Sequence, residues 1–356
     1  MKMYKNFLAA FFAAALLTLP AEASDIETPE NFSGTAEISV MLPGNAKDNG
    51  FMEAGYRGYK RIATELTHNV KCVYNVSATS NREVLTKELL LLAQEGPKLI
   101  IAHGGQCNAP VETISKEFPE IKFVVIQGNV KSANVSSYKV DQEQSAFLAG
   151  ALAGYMTKTD KVGHISGAWP KPGLQARAAF YDGLQRANKK AQFFTHFTGN
   201  LDDNTINAKA AEGEIKAGCD VIYTMLNGGR FGVNDTIAAT NGKVKEIGNV
   251  IDWTTVSPIF IGSAVADSSV AIYNAAKDFT AGNFQAGNIS MIGLENEDVV
   301  RIAVSEQVPK KVARKVEKLR QQVLAGKVKI NTVYNGMEFD PATQEFVDQD
   351  AKNHRK

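Results

Sequence analysis

The chain has 356 residues, of which 39 are lysine or arginine and 38 are aspartate or glutamate, giving a formal net charge of +1. This balance argues against nucleic acid or a membrane surface as a partner, because both attract proteins with a basic excess. The length exceeds the roughly 250 to 300 residues at which a single hydrophobic core stops growing, so two lobes are expected.

The first 23 residues have the layout of a secretory signal peptide. Lys2 and Lys5 precede the apolar run Phe7–Leu19, and Ala21–Ala23 forms a small-x-small cleavage site. The run is shorter than the roughly 20 residues that cross a bilayer. Ser24, rather than a lipid-accepting cysteine, follows the site. We therefore predict cleavage after Ala23, no membrane anchor, and a mature protein in the periplasm.

The first half of the chain alternates β-branched runs with helical periodicity, which predicts a parallel sheet with crossover helices. The predicted strands are EISVMLP, VKCVYNV, KLIIAHG and KFVVIQG. Predicted helices lie between them near 49–67, 81–94 and 111–117.

A second series with the same pattern begins with a predicted helix over 142–157. Its strands are KVGHIS, FFTHF, DVIYTM and VKEIGNVI, separated by helices. The strand SPIFIGS, a helix over 268–281, the hairpin-like MIGLENEDVVRIAVS and a Lys/Arg-rich helix over 309–325 follow. The repetition indicates a second lobe.

These two series predict an α/β fold of two Rossmann-like lobes with parallel sheets joined by a multi-strand hinge. The first lobe is expected to hold 35–130 and 257–290, and the second 139–255 and 300–345. The chain is expected to cross between them near 128–140, 253–262 and 288–305. Two lobes around a cleft are typical of hinge-bending binding proteins.

Motifs of the common enzyme classes, GxSxG, HExxH and GxxxxGK[ST], do not occur in the sequence. The histidines and the three cysteines have no metal-ligand spacing, so no metal and no cofactor are predicted. His103 is expected to be a hydrogen-bonded structural residue. A bridge between Cys72 and Cys107 is open in an oxidising compartment, but buried free thiols are favoured. A periplasmic nucleoside hydrolase that pairs the carboxylates of Asp48 and Glu143 stays open as an alternative.

Aromatic candidates for a binding site lie at two predicted loops. The segment 161–183 predicts a strand, a turn holding Trp169 and two prolines, and a helix; in open α/β sheets such loops face the ligand. Asp48 precedes the helix near 49–67, where its carboxylate caps the helix or points into the cleft. Phe51 and Tyr56 follow on that helix, and only one of them is expected to face the cleft.

Polar candidates follow three other strands. Gln127 and Asn129 follow KFVVI, Asn227 opens the glycine cluster NGGRFG after DVIYTM, and Asp252 follows VKEIGNVI. Aromatic faces together with carboxylates and amides suit a flat heterocycle that carries hydroxyls. A pyranose uses the same groups, so nucleoside and sugar stay unresolved at this point.

Several segments together resemble the basic membrane protein family, the substrate-binding proteins of ABC importers that include purine nucleoside receptors. The segments are DNGFMEAGYRG, KFVVIQGN, EQSAFLAGALAGYMT, KVGHISGAWPKP, AGCDVIYTMLNGG, KEIGNVID and FTAGNFQAGNISMIGLENEDVVRIA. The resemblance implies a type I periplasmic binding protein without enzymatic activity. Such a protein would close on a purine nucleoside, nucleobase or flavin-like solute in its interlobe cleft and deliver it to a membrane permease.

The resemblance also implies roles for individual residues, with aromatics clamping a ring and acids gripping a ribose. The positions that match the family are Asp48, Phe51, Tyr56, Trp169 and Asp252. The chain departs from the family pattern at Met52, Gln127, Leu201, Val250 and Ala266, where asparagine, aspartate, an aromatic, an acid and a lysine are expected. These departures favour a less polar or differently substituted solute.

Overall fold

The computed structural model describes residues 24–76 and 81–348, so the predicted signal peptide lies outside the described residues. The chain first builds most of one sheet. In order its elements are β1 (Asp25–Glu27), β2 (Ile38–Met41), α1 (Phe51–Glu65), β3 (Val70–Tyr74), α2 (Arg82–Gln94), β4 (Leu99–His103), a 3-10 turn (Gly105–Cys107), α3 (Asn108–Ile114), β5 (Lys122–Ile126) and β6 (Val135–Val140).

The chain then builds most of a second sheet. Its elements are α4 (Gln142–Met156), β7 (Lys161–Ser166), α5 (Lys171–Ala187), β8 (Gln192–Phe197), α6 (Asn204–Lys216), β9 (Val221–Met225), α7 (Arg230–Ala238), β10 (Lys245–Val250) and β11 (Phe260–Ala266). These bounds agree with the strand runs of the sequence within about three residues, because β-branched runs become buried strands here.

Both sheets are completed by the last part of the chain. It forms α8 (Ser268–Thr280), β12 (Ile289–Ile292), β13 (Val300–Val304), α9 (Lys310–Leu324), β14 (Glu338–Asp340) and β15 (Glu345–Val347). The first sheet has the order β1-β3-β2-β4-β5-β6-β12, and the second the order β13-β11-β10-β9-β7-β8. Within these two sheets only β1 with β3 and β11 with β13 pair antiparallel among the described strands. β14 and β15 pair antiparallel in a separate two-stranded sheet. The predicted two-lobe α/β fold with mainly parallel sheets is confirmed.

The chain crosses between the sheets at Asp141, at Asp267 and over 293–299, because the elements on either side of each belong to different sheets. At the first two crossings the aspartate carboxylate accepts a backbone N–H and caps the following helix.

Three sequence predictions differ from this arrangement: one crossing, one lobe assignment and one hairpin. Residues 135–140 form β6 of the first sheet rather than a crossing. β11 lies in the second sheet, whereas residues 257–290 were assigned to the first lobe. The hairpin-like segment is not a hairpin, because β12 pairs with β6 and β13 pairs with β11. The pattern of apolar residues alone does not distinguish a hairpin from two consecutive strands that belong to different sheets.

Helices α4 and α5 pack closely over the second sheet. An added Cβ at Gly150 of α4 would lie 1.8 Å from the carbonyl oxygen of Phe180, and one at Gly183 of α5 would lie 1.9 Å from that of Phe147. Only glycine allows this approach of the two backbones. Because α5 begins directly after the Trp169 loop, this packing fixes the position of that loop.

Candidate functional site

A cavity of about 610 Å³ lies where loops of both sheets meet. Its wall includes the start of α1 and the loops after β4 and β5 from the first sheet, and the loops after β7, β9 and β10 from the second. All of these follow the carboxyl ends of parallel strands, where ligands of open α/β folds bind. The volume is within the range of about 300 to 1,000 Å³ that is typical of small-molecule sites.

Phe51 contributes an aromatic face to the cavity from the first sheet's side. Its ring stacks on that of His103, with centroids 4.0 Å apart and an interplanar angle of 21°. His103 Nε2 lies 2.8 Å from the carbonyl oxygen of Phe51. Burial lowers the pKa of His103 to about 4, so the imidazole is neutral at pH 7. Because a carbonyl only accepts, Nε2 carries the proton and donates it.

Trp169 contributes the second aromatic face, from the loop between β7 and α5. Its ring stacks on Phe197 with centroids 5.5 Å apart and an interplanar angle of 23°. The guanidinium of Arg177 lies 5.2 Å from the centroid of Phe197. Each cavity aromatic is therefore supported by a second ring within its own lobe, which keeps it in position before a ligand arrives.

Asp48 caps α1 and does not line the cavity. Its carboxylate accepts the backbone N–H groups of Gly50, Met52 and Glu53 at 2.8, 3.1 and 3.0 Å. Burial raises the pKa of Asp48 to about 6, while these hydrogen bonds lower it. Of the two roles predicted for Asp48, the structure shows helix capping.

Asn227 connects the two sides of the cavity. It follows β9 of the second sheet, and its Oδ1 lies 3.5 Å from the backbone N of Phe51 in the first lobe. A Cβ added at Gly50 would lie 2.4 Å from the same oxygen. The absence of a side chain at position 50 therefore allows the two lobes to approach here.

Gln127 and Asn129 both line the cavity. The Gln127 amide is already used, because Oε1 accepts from the Val140 N–H at 2.8 Å and Nε2 donates to the Val140 carbonyl at 3.0 Å. Asn129 is exposed, and its backbone N–H donates to Asn108 Oδ1 at 3.2 Å. Gln127 thus fastens β5 to β6, and the Asn129 side chain faces the cavity with no hydrogen bond of its own to the described residues.

Tyr56 and Asp252 lie away from the cavity wall. The Tyr56 hydroxyl donates to Glu27 at 2.7 Å. At 100° per residue, Tyr56 lies about 140° around α1 from Phe51, which explains why only Phe51 faces the cavity. Asp252 accepts the Thr254 N–H at 3.0 Å and pairs with Arg301 at 3.4 Å. The structure thus brings together five of the eight predicted residues: Phe51, Gln127, Asn129, Trp169 and Asn227.

Sequence reasoning missed most of the polar wall. The missed side chains are lysines and amides that lie at or just after strand ends or in the first two turns of helices: Gln106, Asn108, Lys139, Gln142, Lys171, Gln175 and Asn249. The signal that could have found them is their position after predicted strands at the same sheet edge. Among the described residues, the charged side chains of this wall are two lysines, and no carboxylate lines it.

The residues of the hydrolase alternative are not brought together. Glu143 lines a separate cavity of about 350 Å³ at the first crossing, whereas Asp48 is committed to the α1 cap. Burial and the neighbouring Asp141 raise the pKa of Glu143 to about 7.

The three cysteines are free and buried, so no Cys72–Cys107 bridge is present. Over 24–76 and 81–348, no cluster of three or more His, Cys, Asp or Glu side chains could hold a metal ion.

Comparison with known proteins identifies the family of this chain. Residues 35–333 match the Bmp family model, described as ABC transporter substrate-binding protein PnrA-like. The chain belongs to this family. It is therefore a solute-binding protein of an ABC transporter, acts outside the cytoplasm without catalysing a reaction, and has a solute and a transporter as its partners. No helix in the described part of the Bmp-family chain is long and apolar enough to cross a membrane.

Relatives and solved structures of this Bmp-family protein agree with its fold. The transcriptional activator protein med of Bacillus subtilis (strain 168) is 26% identical over 74% of this chain and 80% of its own. A solute-binding protein of an ABC transporter system from Aeropyrum pernix K1 is 22% identical, with a TM-score of 0.74 over 84% of this chain and 94% of that one. A periplasmic binding protein/LacI transcriptional regulator from Alkaliphilus metalliredigens QYMF, complexed with D-xylulofuranose, is 15% identical, with a TM-score of 0.57 over 77% and 99%.

Proposed function

We propose that the protein captures a planar heterocyclic solute, such as a nucleobase, nucleoside or flavin-like compound, in the interlobe cavity and hands it to a membrane permease. The observation that carries this proposal is that Phe51 and Trp169, one from each lobe, line the same cavity. Closure of the lobes would hold a flat ring between the two aromatic faces. Export to the periplasm by the leader 1–23, with cleavage after Ala23, is part of the proposal.

Two ring stacks supply part of the binding free energy, and hydrogen bonds to the wall add to it. Stacking a base on an aromatic side chain contributes about 1–3 kcal/mol. Hydrogen bonds from amides such as Asn129 and Asn249 to ring nitrogens and carbonyls add about 0.5–1.5 kcal/mol each. Micromolar affinity corresponds to about 8 kcal/mol after the costs of association. No bond chemistry is needed from the protein.

A sugar is the second candidate solute. The relative from Alkaliphilus metalliredigens is complexed with D-xylulofuranose, and aromatic faces with amides also suit a sugar ring. The wall favours the heterocycle, because sugar hydroxyls are best gripped by carboxylates. The aspartates that the family resemblance assigned to that role, Asp48 and Asp252, are engaged elsewhere.

A thermal-shift screen over nucleobases, nucleosides, flavins and sugars, followed by calorimetry of the hits, tests the proposal. A ligand at 100 times its dissociation constant adds about 2.7 kcal/mol of stability. Trp169→Ala is expected to weaken a heterocyclic hit at least tenfold. Phe231→Ala is the matched control, because Phe231 has the same 43% exposure as Trp169 but does not line the cavity. Hits among sugars alone, or equal affinity in W169A and the parent, would overturn the proposal.

A further inference from the structure

The charge of the cavity wall restricts the chemical class of the solute further than the shape of the cavity does. Of the residues that the structure describes around it, the charged ones are Lys139 and Lys171. The whole chain carries almost equal numbers of basic and acidic residues. A wall with lysines and without carboxylates therefore differs from the average surface of this protein.

Lys139 is half-buried at the end of β6 and lines both the interlobe cavity and the smaller cavity beside it. Its ammonium makes no hydrogen bond or ion pair with the rest of the described chain, and its charge acts at longer range on Asp141 and Glu143, whose pKa values it lowers. Closure around a neutral solute would remove water from this charge without supplying a partner, which is costly. An anionic group of the solute within hydrogen-bonding distance would instead supply one.

Two carboxylates face Lys139 from the smaller cavity, those of Asp141 and Glu143. Burial raises the pKa of both, and their mutual repulsion raises that of Glu143 further. The pair is therefore more easily protonated than two carboxylates in water, although the charge of Lys139 lowers the pKa of both. Neither Asp141 nor Glu143 lines the interlobe cavity, whereas Lys139 does, so Lys139 is the charged residue that the first lobe contributes to the wall.

The other lysine lies beside the second aromatic face. Lys171 is the first residue of α5 and is exposed. The α5 start also lines the cavity through Pro172 and Gly173, and no side chain caps it. The positive end of the helix dipole adds to the lysine charge there. Each lobe thus contributes one lysine to the wall of the interlobe cavity.

We propose that the solute is a planar heterocycle that carries an anionic group, which Lys139 and Lys171 recognise when the lobes close. This inference rests on the proposed function. It specifies the class of solute: a ring bearing a carboxylate, a phosphate or an ionised ring oxygen is preferred to its neutral analogue.

Matched pairs of a neutral and an anionic heterocycle test the inference by calorimetry. Suitable pairs are uracil and its 6-carboxylate, nicotinamide and nicotinate, and riboflavin and its 5′-phosphate. We expect the anionic member of at least one pair to bind at least tenfold tighter at low salt. Lys139→Gln should reduce the ratio of anionic to neutral affinity at least fivefold, and Lys139→Arg should keep it. Lys116 is exposed and lies outside the wall, so Lys116→Gln should not change the ratio.

The outcomes separate this inference from the proposed function. If neutral members bind as tightly as anionic ones, or if Lys139→Gln leaves the ratio unchanged, the anionic solute is overturned. A loss of neutral binding in Trp169→Ala would then still support the heterocycle site. If no member of any pair binds, the anionic solute is overturned, and the screen over nucleobases, nucleosides, flavins and sugars decides the proposed function.

Discussion

The imidazole of His103 contacts Phe51 twice, through a ring stack with centroids 4.0 Å apart and through a hydrogen bond of 2.8 Å from Nε2 to the Phe51 backbone carbonyl. His103 ends β4 and Phe51 begins α1, so this pair connects the first sheet to the helix that presents an aromatic face to the cavity. Several properties of the protein depend on it.

Removing the imidazole should loosen the Phe51 face. His103→Ala deletes a fully buried ring, and large-to-small changes in cores cost about 2–5 kcal/mol. We expect a loss of that order in urea unfolding, and a several-fold weaker affinity for the solute under conditions where the variant is folded. The control is Phe231→Ala, which removes an exposed ring of α7. An H103A protein with parental affinity would show that His103 does not support Phe51.

The stability of the fold should depend on pH through His103. Burial lowers its pKa to about 4, below the unfolded value of about 6.5. The unfolded chain therefore binds the proton more readily, and the stability from this group is complete above pH 6.5 and decreases as the pH falls toward 4.

His103→Phe keeps a ring and removes the titrating group. Between pH 7.5 and 4.5 it should lose less stability than the parent, by about 2 kcal/mol. The raised pKa of Asp48, about 6, acts in the opposite direction and is common to both proteins. Urea unfolding at the two pH values measures the difference. If the stabilities of the two proteins changed equally with pH, His103 would not be the source of the pH dependence.

Phe51 and Tyr56 should differ in their effects on binding. Phe51→Ala removes a cavity face, so we expect affinity for a heterocyclic solute to fall at least tenfold. Tyr56→Phe removes only the hydroxyl that donates to Glu27, so affinity should stay within twofold and stability should fall slightly. Calorimetry of both variants checks this. A larger loss of affinity from Tyr56→Phe than from Phe51→Ala would show that the face of α1 that carries Tyr56, and not Phe51, contacts the solute.

The approach of Gly50 to Asn227 should control closure. Gly50→Ala introduces a Cβ 2.4 Å from Asn227 Oδ1, which should hold the lobes apart and weaken solute binding at least tenfold. Asn227→Ala in the same chain removes that oxygen and should restore part of the affinity. Small-angle scattering of G50A with excess solute should show the larger radius of the open form. A compact G50A with parental affinity would mean that the lobes do not meet here.

The sequence was sufficient for the fold but only for part of the site. β-Branched runs and helical periodicity report burial, so β7 and β9 could be predicted to within a residue. Partners of strands are set by long-range contacts, and this is why β12 and β13 were misread as a hairpin. Phe51 and Trp169 were found because loops after parallel strands face ligands. Lys139 was missed because its position in the wall depends on where the chain crosses between the sheets.

Trp169 and Trp253 are the two tryptophans of the chain. Stacking of a solute on Trp169 can therefore be followed by tryptophan fluorescence. Trp253 is buried in the second lobe and does not line the cavity. In a Trp253→Phe variant, Trp169 is therefore the only indole, and a stacked heterocycle should quench its fluorescence. We predict saturable quenching with the same dissociation constant that calorimetry gives for that variant. Calorimetric binding of a heterocycle with no change in Trp169 emission would contradict the account.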